Sequence, residues 1–102
     1  MATVYITAPP DAASEIAESL VEKQLAACVN QLECSSVFRW EGDVVSEPEV
    51  ILLAKTTGEH YSDLREHVLE THPYDVPCIE RFDESAVLPA FAAWREQATT
   101  PE

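Results

Sequence analysis

The segment Thr71-His72-Pro73-Tyr74-Asp75-Val76-Pro77 holds the densest collection of functional side chains in the sequence. It falls between a predicted helix end and a predicted strand, where loops commonly present binding and catalytic residues. The imidazole of His72 could bind a metal ion or transfer a proton near neutral pH. The alternative is structural, with His72 complementing the helix C-terminal dipole and the prolines stiffening the connection. The residue types leave both interpretations open.

Lys55 is the second chemically notable residue, because it follows the apolar run Val50-Ile51-Leu52-Leu53-Ala54 and is one of only two lysines. A lysine at this place could pair with an anion or act as a base with a lowered pKa. It could equally be a strand-end lysine that lays its apolar stem on the sheet and pairs with a nearby acid. The sequence leaves both roles open.

The three cysteines, Cys28, Cys34 and Cys78, are an odd number without a Cys-x-x-Cys spacing. They predict neither a disulfide framework nor a structural zinc site. Cys28 and Cys78 together with His72 could form a copper or zinc site, although buried cysteine is more often a small hydrophobic residue. Cys34 lies in a polar stretch and is expected to be the exposed thiol. No phosphate loop, nucleophile elbow or His-Glu-x-x-His motif is present, and the sequence predicts that the protein is not an enzyme.

Length and charge exclude several classes of function. The 102 residues predict a single domain over residues 1–102, and the formal net charge of −13 comes from 19 acidic and 6 basic residues. Such a chain has little with which to replace phosphate counterions, so neither nucleic acid nor an anionic membrane is an expected partner. Acidic exposed faces are typical of proteins adapted to high salt, and they are also compatible with cation binding. The absence of a signal-like N-terminus predicts a cytoplasmic location.

The hydrophobic pattern predicts an α+β fold with the element order β-α-β-β-α-β-α. Expected strands cover residues 3–8, 28–40 with an interruption at 33–35, 44–57 and 78–82. Expected helices cover residues 11–26, capped by Asp11, then 61–71 and 87–98. The first six elements are those of the split β-α-β, ferredoxin-like antiparallel sheet, and the last is an extra C-terminal helix.

The run from Val50 to Ala54 predicts self-association. Both of its faces are apolar, and a strand of that kind is normally covered on both sides. The two helices of a ferredoxin-like fold cover one face of the sheet only. The simplest cover for the second face is another copy of the chain, so a homo-oligomer is expected.

Several motifs stand in the order found in the CutA divalent-cation tolerance proteins, and the chain is identified by them as similar to that family. They are Leu25-Ala26-Ala27-Cys28-Val29-Asn30, Phe38-Arg39-Trp40-Glu41-Gly42, Leu53-Ala54-Lys55-Thr56, His72-Pro73-Tyr74-Asp75-Val76-Pro77 and Pro89-Ala90-Phe91-x-x-Trp94. The resemblance covers nearly the whole chain, from about residue 3 to residue 96.

The resemblance implies a homotrimer of ferredoxin-like subunits that resembles the PII signal proteins and is associated with tolerance of divalent cations, copper in particular. It implies clefts between subunits whose polar and aromatic residues correspond here to Lys55, His72, Tyr74, Asp75, Trp40 and Trp94. We expect His72 to be a metal ligand for copper or zinc and Asp75 an oxygen ligand. We expect Lys55 to offset an acidic ligand group, with Tyr74, Trp40 and Trp94 lining the cleft. The alternative is a signalling or scaffold trimer that binds a metabolite or a protein partner.

The chain also departs from the family pattern at positions associated with copper. Ile6 stands where the resemblance implies a cysteine near the end of strand one, and Thr71 stands where it implies the first histidine of a pair. Cys78 replaces a glutamate that commonly follows the Val-Pro step. Of the implied copper ligands, only His72 is present.

Overall fold

The computed structural model describes residues 1–101 and shows a four-stranded antiparallel sheet with three α-helices. The strands are β1 (Ala2–Ala8), β2 (Cys28–Trp40), β3 (Asp43–Thr56) and β4 (Ile79–Asp83). The helices are α1 (Pro10–Glu22), α2 (Tyr61–Thr71) and α3 (Pro89–Ala98), with a short 3₁₀ helix at Gly58–His60. The strand order is β2-β3-β1-β4, which confirms the predicted element order and the ferredoxin-like, split β-α-β fold.

The helices cover one face of the sheet, as the sequence predicts. In β1, every second residue from Ala2 to Ala8 is buried, and β3 continues the alternation from Val50 to Thr56. Helix α1 packs on this face through residues at helical spacing, Ala13, Ile16, Ala17 and Leu20. Helix α2 adds Leu64 and Val68. These side chains form the core, so the helix face needs no further partner.

The opposite face of the sheet, which we call the open face, is only partly covered. Tyr5, Ile51 and Leu53 are half-buried, and Phe82 is 55% exposed. Antiparallel pairing aligns Tyr5 with Leu53 and Glu80 on this face. Strand β3 therefore has one buried face and one face that a single chain leaves partly accessible to solvent.

Strands β2 and β3 form a long hairpin that extends past the rest of the sheet. They pair without a break from Cys28 opposite Lys55 to Trp40 opposite Asp43, whereas β1 pairs with β3 only from Val50 onward. The predicted turn is confirmed, because Glu41 and Gly42 both have positive φ, at 48° and 87°. Positive φ at both central residues is the requirement of a two-residue type I′ hairpin.

The predicted interruption of β2 at residues 33–35 is wrong, and Cys34 lies inside the strand rather than in a loop. The polar residues there indicated a loop because a core strand would bury them. In the protruding hairpin, however, they remain largely accessible, and the backbone ladder alone holds the strand. Pro48 is tolerated opposite Ser35 because this part of β3 has no partner on its other side within the chain.

Helix α1 ends earlier than predicted, at Glu22 rather than Ala26. Gln24 adopts φ of 57°, the N–H of Leu25 donates to the Leu20 carbonyl at 2.9 Å, and that of Gln24 donates to the Val21 carbonyl at 3.0 Å. These are the two bonds of a Schellman motif, formed here without the glycine that usually signals it. The predicted cap by Asp11 is also wrong, since Pro9 is the N-cap and Pro10 begins the helix.

The C-terminal segment is ordered up to the last described residues. Thr99 is fully buried, and the side-chain amide of Gln24 donates to the carbonyl of Thr100 at 3.1 Å. Thr99 and Thr100 are therefore held against the rest of the chain, while Glu102 lies outside the described residues. Among residues 1–101, none of the helices is long and apolar enough to cross a membrane.

Candidate functional site

The imidazole of His72 joins the end of α2 to the end of β1. Pro73 disfavours helical geometry at His72, which takes the extended values φ −80° and ψ 135° and leaves the helix. Its Nε2 lies 2.8 Å from the carbonyl oxygen of Thr7, and its Nδ1 accepts a hydrogen bond from the backbone N–H of Tyr74 at 3.1 Å. A carbonyl can only accept, so Nε2 carries the proton and the ring is neutral.

This arrangement gives His72 a structural role within one chain. The ring is 8% exposed, and both nitrogens have protein partners. A metal needs a free nitrogen lone pair, and the one at Nδ1 is directed at the Tyr74 amide. Metal binding at His72 stays a prediction, and it would require one of these two hydrogen bonds to break.

Tyr74 places its phenol on a buried carboxylate of β3. Its hydroxyl donates to Oε2 of Glu49 at 3.2 Å, and Glu49 is only 7% exposed. Burial raises the pKa of Tyr74, and the charge and hydrogen bond of Glu49 raise it further, followed by the charges of Glu47 and Asp11. The segment after α2 is therefore fastened at His72 and Tyr74, while Asp75 is exposed.

Lys55 lies at the other end of β3, beside a charged cluster that the sequence did not reveal. Glu84 accepts a hydrogen bond from the Thr3 hydroxyl and forms an ion pair with Arg95, Nη1 to Oε2, at 2.7 Å. Arg95 is 2% exposed, and the same nitrogen also donates to the carbonyls of Ala2 and Thr56, each at 3.3 Å. The cluster fixes α3 to the ends of β1 and β3.

Electrostatics link Lys55 to this cluster. Burial by itself raises the pKa of the Glu84 carboxyl. The hydrogen bonds from Thr3 and Arg95 and the charges of Arg95 and Lys55 outweigh burial and hold that pKa below its ordinary value. Lys55 is therefore close enough to the Glu84 carboxylate of its own chain to interact with it electrostatically. Helical spacing could have indicated that Arg95 falls on the inward side of α3, but nothing in the sequence paired it with Glu84.

The predicted cleft residues do not meet within one chain. Lys55 pairs with Thr3, while His72 contacts Thr7, four residues along β1, which is roughly 13 Å at strand rise. Trp40 pairs with Asp43, twelve residues from Lys55 on β3, or about 40 Å. Within a single chain, Lys55 and the segment of residues 71–77 are therefore at separate places on the sheet, and the shared cleft between subunits stays a prediction.

The indole of Trp94 lies on α3, 46% exposed, with its ring centroid 5.6 Å from that of Phe91. It lines a shallow groove of about 540 Å³ shared with Gln24, Gln97, Ala98, Thr100 and Pro101. The groove adjoins the Arg95 end of the sheet. Within one chain it is therefore separate from Trp40 at the hairpin tip.

The cysteines are all free and half-buried. Cys28 lies opposite Lys55, whereas Cys78 directly precedes the residue opposite Ile6, so the two thiols are at opposite ends of the sheet. The combination of Cys28, Cys78 and His72 as a metal site is therefore not assembled in one chain. Over residues 1–101, no three or more His, Cys, Asp or Glu side chains are grouped so that they could hold a metal ion.

A serine–histidine contact on the outer helices was not foreseen. Oγ of Ser19 lies 2.9 Å from Nε2 of His67, joining α1 to α2. The same hydroxyl donates to the carbonyl of Ile16 at 3.0 Å. Its proton is therefore engaged by the backbone rather than by the imidazole, and Ser19 is not activated as a nucleophile. The contact fastens the two helices together.

The sequence profile of the CutA1 divalent ion tolerance protein family matches residues 2–98. The chain belongs to this family. It is 38% identical over 95 residues to the divalent-cation tolerance protein CutA of Archaeoglobus fulgidus, covering 92% of this chain and 93% of that protein. The family resemblance inferred from the sequence motifs is confirmed.

Solved CutA structures share the fold. The crystal structure of CutA1 from Pyrococcus horikoshii superposes with a TM-score of 0.95 at 32% identity, covering 99% of this chain and all of that one. The PII-like protein CutA from Nostoc in its apo form superposes with a TM-score of 0.94 at 30% identity, covering 98% of each chain. A CutA fold with PII-like relatives is thus established for this chain.

Proposed function

We propose that the protein acts in divalent-cation tolerance, copper included, as a cytoplasmic homotrimer that binds a metal ion or a small ligand in clefts between subunits. The observation that carries the proposal is the separation of the cleft residues. Trp40, on β2, pairs with Asp43, which lies about 40 Å from Lys55 along β3. Trp40 and Lys55 can share a cleft only if different copies contribute them.

The open face supports the assembled state. Half-buried Leu53 and exposed Phe82 lie on the face that the chain's own helices leave free, and apolar residues of this kind are stabilised by a second copy. In the cleft, His72 would supply a nitrogen ligand and Asp75 an oxygen ligand. Lys55 would face an acidic ligand group, with Tyr74, Trp40 and Trp94 as walls.

Calorimetric titration of the reduced protein with Cu(II) and Zn(II) tests the metal part of the proposal. Stoichiometric binding to the wild type that weakens in His72→Ala supports a metal site at His72. Identical isotherms for the two proteins remove His72 from any site. Weak, nonstoichiometric binding would reflect the acidic surface alone. Light scattering measures the trimer independently of metal.

The second candidate is a PII-like signalling or scaffold trimer that binds a metabolite or a protein partner. Two observations favour it over direct metal binding: the structural similarity to the PII-like Nostoc protein, and the engagement of both His72 nitrogens within the chain. A thermal-shift screen separates the candidates. An organic anion that stabilises the protein while divalent metals do not would support the signalling role.

A further inference from the structure

Glu49 is a buried carboxylate with one side-chain hydrogen bond inside the chain. It lies on β3 directly before Val50, where pairing with β1 has ended, and it is only 7% exposed. The Tyr74 hydroxyl donates to its Oε2 at 3.2 Å, and none of the ion pairs formed among residues 1–101 includes Glu49. A buried charge that is met only by a neutral phenol is costly unless a cation lies beside it. Within the described chain, Glu49 lacks that cation.

Lys55 is the single basic residue among the described strand residues of the open face. Faces alternate along each strand, and residues paired across strands share a face. Arg39 and Arg81, the other basic residues of the strands, pair with Val44 and Val4 and therefore project from the helix side. The acidic strand residues of the open face are Asp43, Glu47, Glu49 and Glu80. Of these four, only Glu49 is buried.

The ammonium group of Lys55 is not neutralised within its own chain. Lys55 is half-buried and takes part in none of the ion pairs of residues 1–101. It acts electrostatically on Glu84, but that carboxylate already accepts from Thr3 and pairs with Arg95 at 2.7 Å. Glu49 and Lys55 are six residues apart on β3, or about 20 Å, which is beyond the reach of a lysine side chain. A single chain therefore cannot pair them.

Contact between the open faces of two copies can give both groups a partner. Half-buried Ile51 and Leu53 lie between them on β3 and favour burial of the face. Burying Glu49 and Lys55 without partners would oppose that burial, because an unpaired charge is costly to remove from water. A head-to-tail arrangement places the Lys55 end of one sheet against the Glu49 end of the next. Repeated around a closed ring, it satisfies both charges at every interface.

We propose that Lys55 of one subunit forms an ion pair with the partner subunit's Glu49, through the carboxylate oxygen that Tyr74 leaves free. The inference rests on the proposed homotrimer and identifies the acidic group that Lys55 faces in the cleft. The cleft is incomplete in one chain, since each copy supplies one member of the pair. An anionic ligand of the cleft must then compete with the partner subunit's Glu49 for the ammonium group.

A double-mutant cycle on the assembled protein tests the pair. Glu49→Gln removes the charge but keeps an oxygen that can accept from Tyr74, and Lys55→Met removes the ammonium group but keeps an apolar stem. Each single variant leaves the opposite charge buried and unpaired, so we expect the dissociation constant of the assembly to rise about thirtyfold or more. The double variant should dissociate no more readily than either single variant, since removing both partners costs less than removing one. Light scattering in a urea series at one protein concentration measures dissociation.

Glu80→Gln is the matched control, because it removes the charge of an exposed carboxylate from the same face. It should leave the assembly as stable as the wild type, and its effect should add to that of Lys55→Met. Lys55→Arg keeps the cation and should dissociate far less readily than Lys55→Met. Circular dichroism checks that the subunits of each variant are folded.

Cross-linking of the wild type tests the contact without any substitution. A carbodiimide joins a lysine amine to a carboxylate as an amide with no spacer, so it reports groups in direct contact. Because Lys55 and Glu49 are about 20 Å apart in one chain, a Lys55–Glu49 peptide found by mass spectrometry can come only from two subunits. Lys55 joined to other carboxylates and never to Glu49 would overturn the pair.

The outcomes separate this pair from the proposed function. A wild type that light scattering shows to be monomeric overturns both the trimer and the pair. An assembled wild type in which the effects of Lys55→Met and Glu49→Gln simply add overturns the pair alone. Equal coupling of Lys55→Met with Glu80→Gln would mean that the wrong carboxylate is assigned, and it overturns the pair as well. None of these substitutions alters His72, so the metal titration remains an independent test of the proposed metal site.

Discussion

Replacing His72 with alanine separates a structural imidazole from a metal-binding one. The ring is 8% exposed and makes hydrogen bonds of 2.8 Å to Thr7 and 3.1 Å from Tyr74. Each bond contributes about 0.5–1.5 kcal/mol net. Loss of a buried ring adds a cavity term, for which roughly 1 kcal/mol is a conservative figure. The expected destabilisation of His72→Ala is therefore about 2–4 kcal/mol.

Thermal unfolding followed by circular dichroism measures this loss. For a domain of about 100 residues, 1 kcal/mol corresponds to roughly 4–8 °C in Tm, so we expect a decrease of about 10–30 °C. All proteins must be compared at one concentration, because self-association makes Tm concentration-dependent. His72→Gln should recover part of the loss, since its amide can still donate to the Thr7 carbonyl.

The matched control is His67→Ala, which removes a half-buried imidazole bound to Ser19 at 2.9 Å. It should cost about 1 kcal/mol, the net value of one hydrogen bond. The structural interpretation is refuted if His72→Ala melts like the wild type and at the same time loses metal affinity. That combination would mean that the imidazole leaves Thr7 and Tyr74 at little cost and serves as a ligand.

Three further perturbations test other parts of the structure. Arg95→Met should cost about 1–3 kcal/mol in urea denaturation, since it leaves the partly exposed carboxylate of Glu84 without its buried partner. The lowered pKa of Glu84 means that its contribution is present above an unfolded pKa of about 4.3 and disappears as pH falls through the lower folded value. Equal acid sensitivity of wild type and Arg95→Met would contradict this coupling. Leu53→Asp on the open face should yield a folded species that light scattering shows to be smaller than the wild-type assembly. Leu69→Asp, at an exposed position of α2, is the control and should keep the wild-type size. A Leu53→Asp protein of wild-type size would rule out burial of this face. The net charge of −13 predicts a Tm that rises from low to molar salt as screening removes self-repulsion, and a constant Tm would exclude adaptation to high salt.

The sequence predicted the architecture well because the relevant signals are local and periodic. Alternating apolar residues in β1 and helical spacing at Ile16 and Leu20 gave the element order, and Pro73 gave the end of α2. Glu41-Gly42 gave the hairpin. The features that were predicted wrongly, the end of α1 and the interruption of β2, depended on backbone geometry instead. Gln24 closes α1 without a glycine, and polar residues 33–36 continue a strand that protrudes from the core.

The candidate site was far less predictable, because it depends on register and on side chains distant in sequence. The sequence alone identified His72, Tyr74 and Lys55 as notable and predicted that one sheet face would lack cover. Only the tertiary structure showed that both ring nitrogens of His72 are hydrogen-bonded within the chain and that Arg95 of α3 forms an ion pair with Glu84. Pairing across strands decides which groups come within hydrogen-bonding distance, and no single stretch of sequence contains that information.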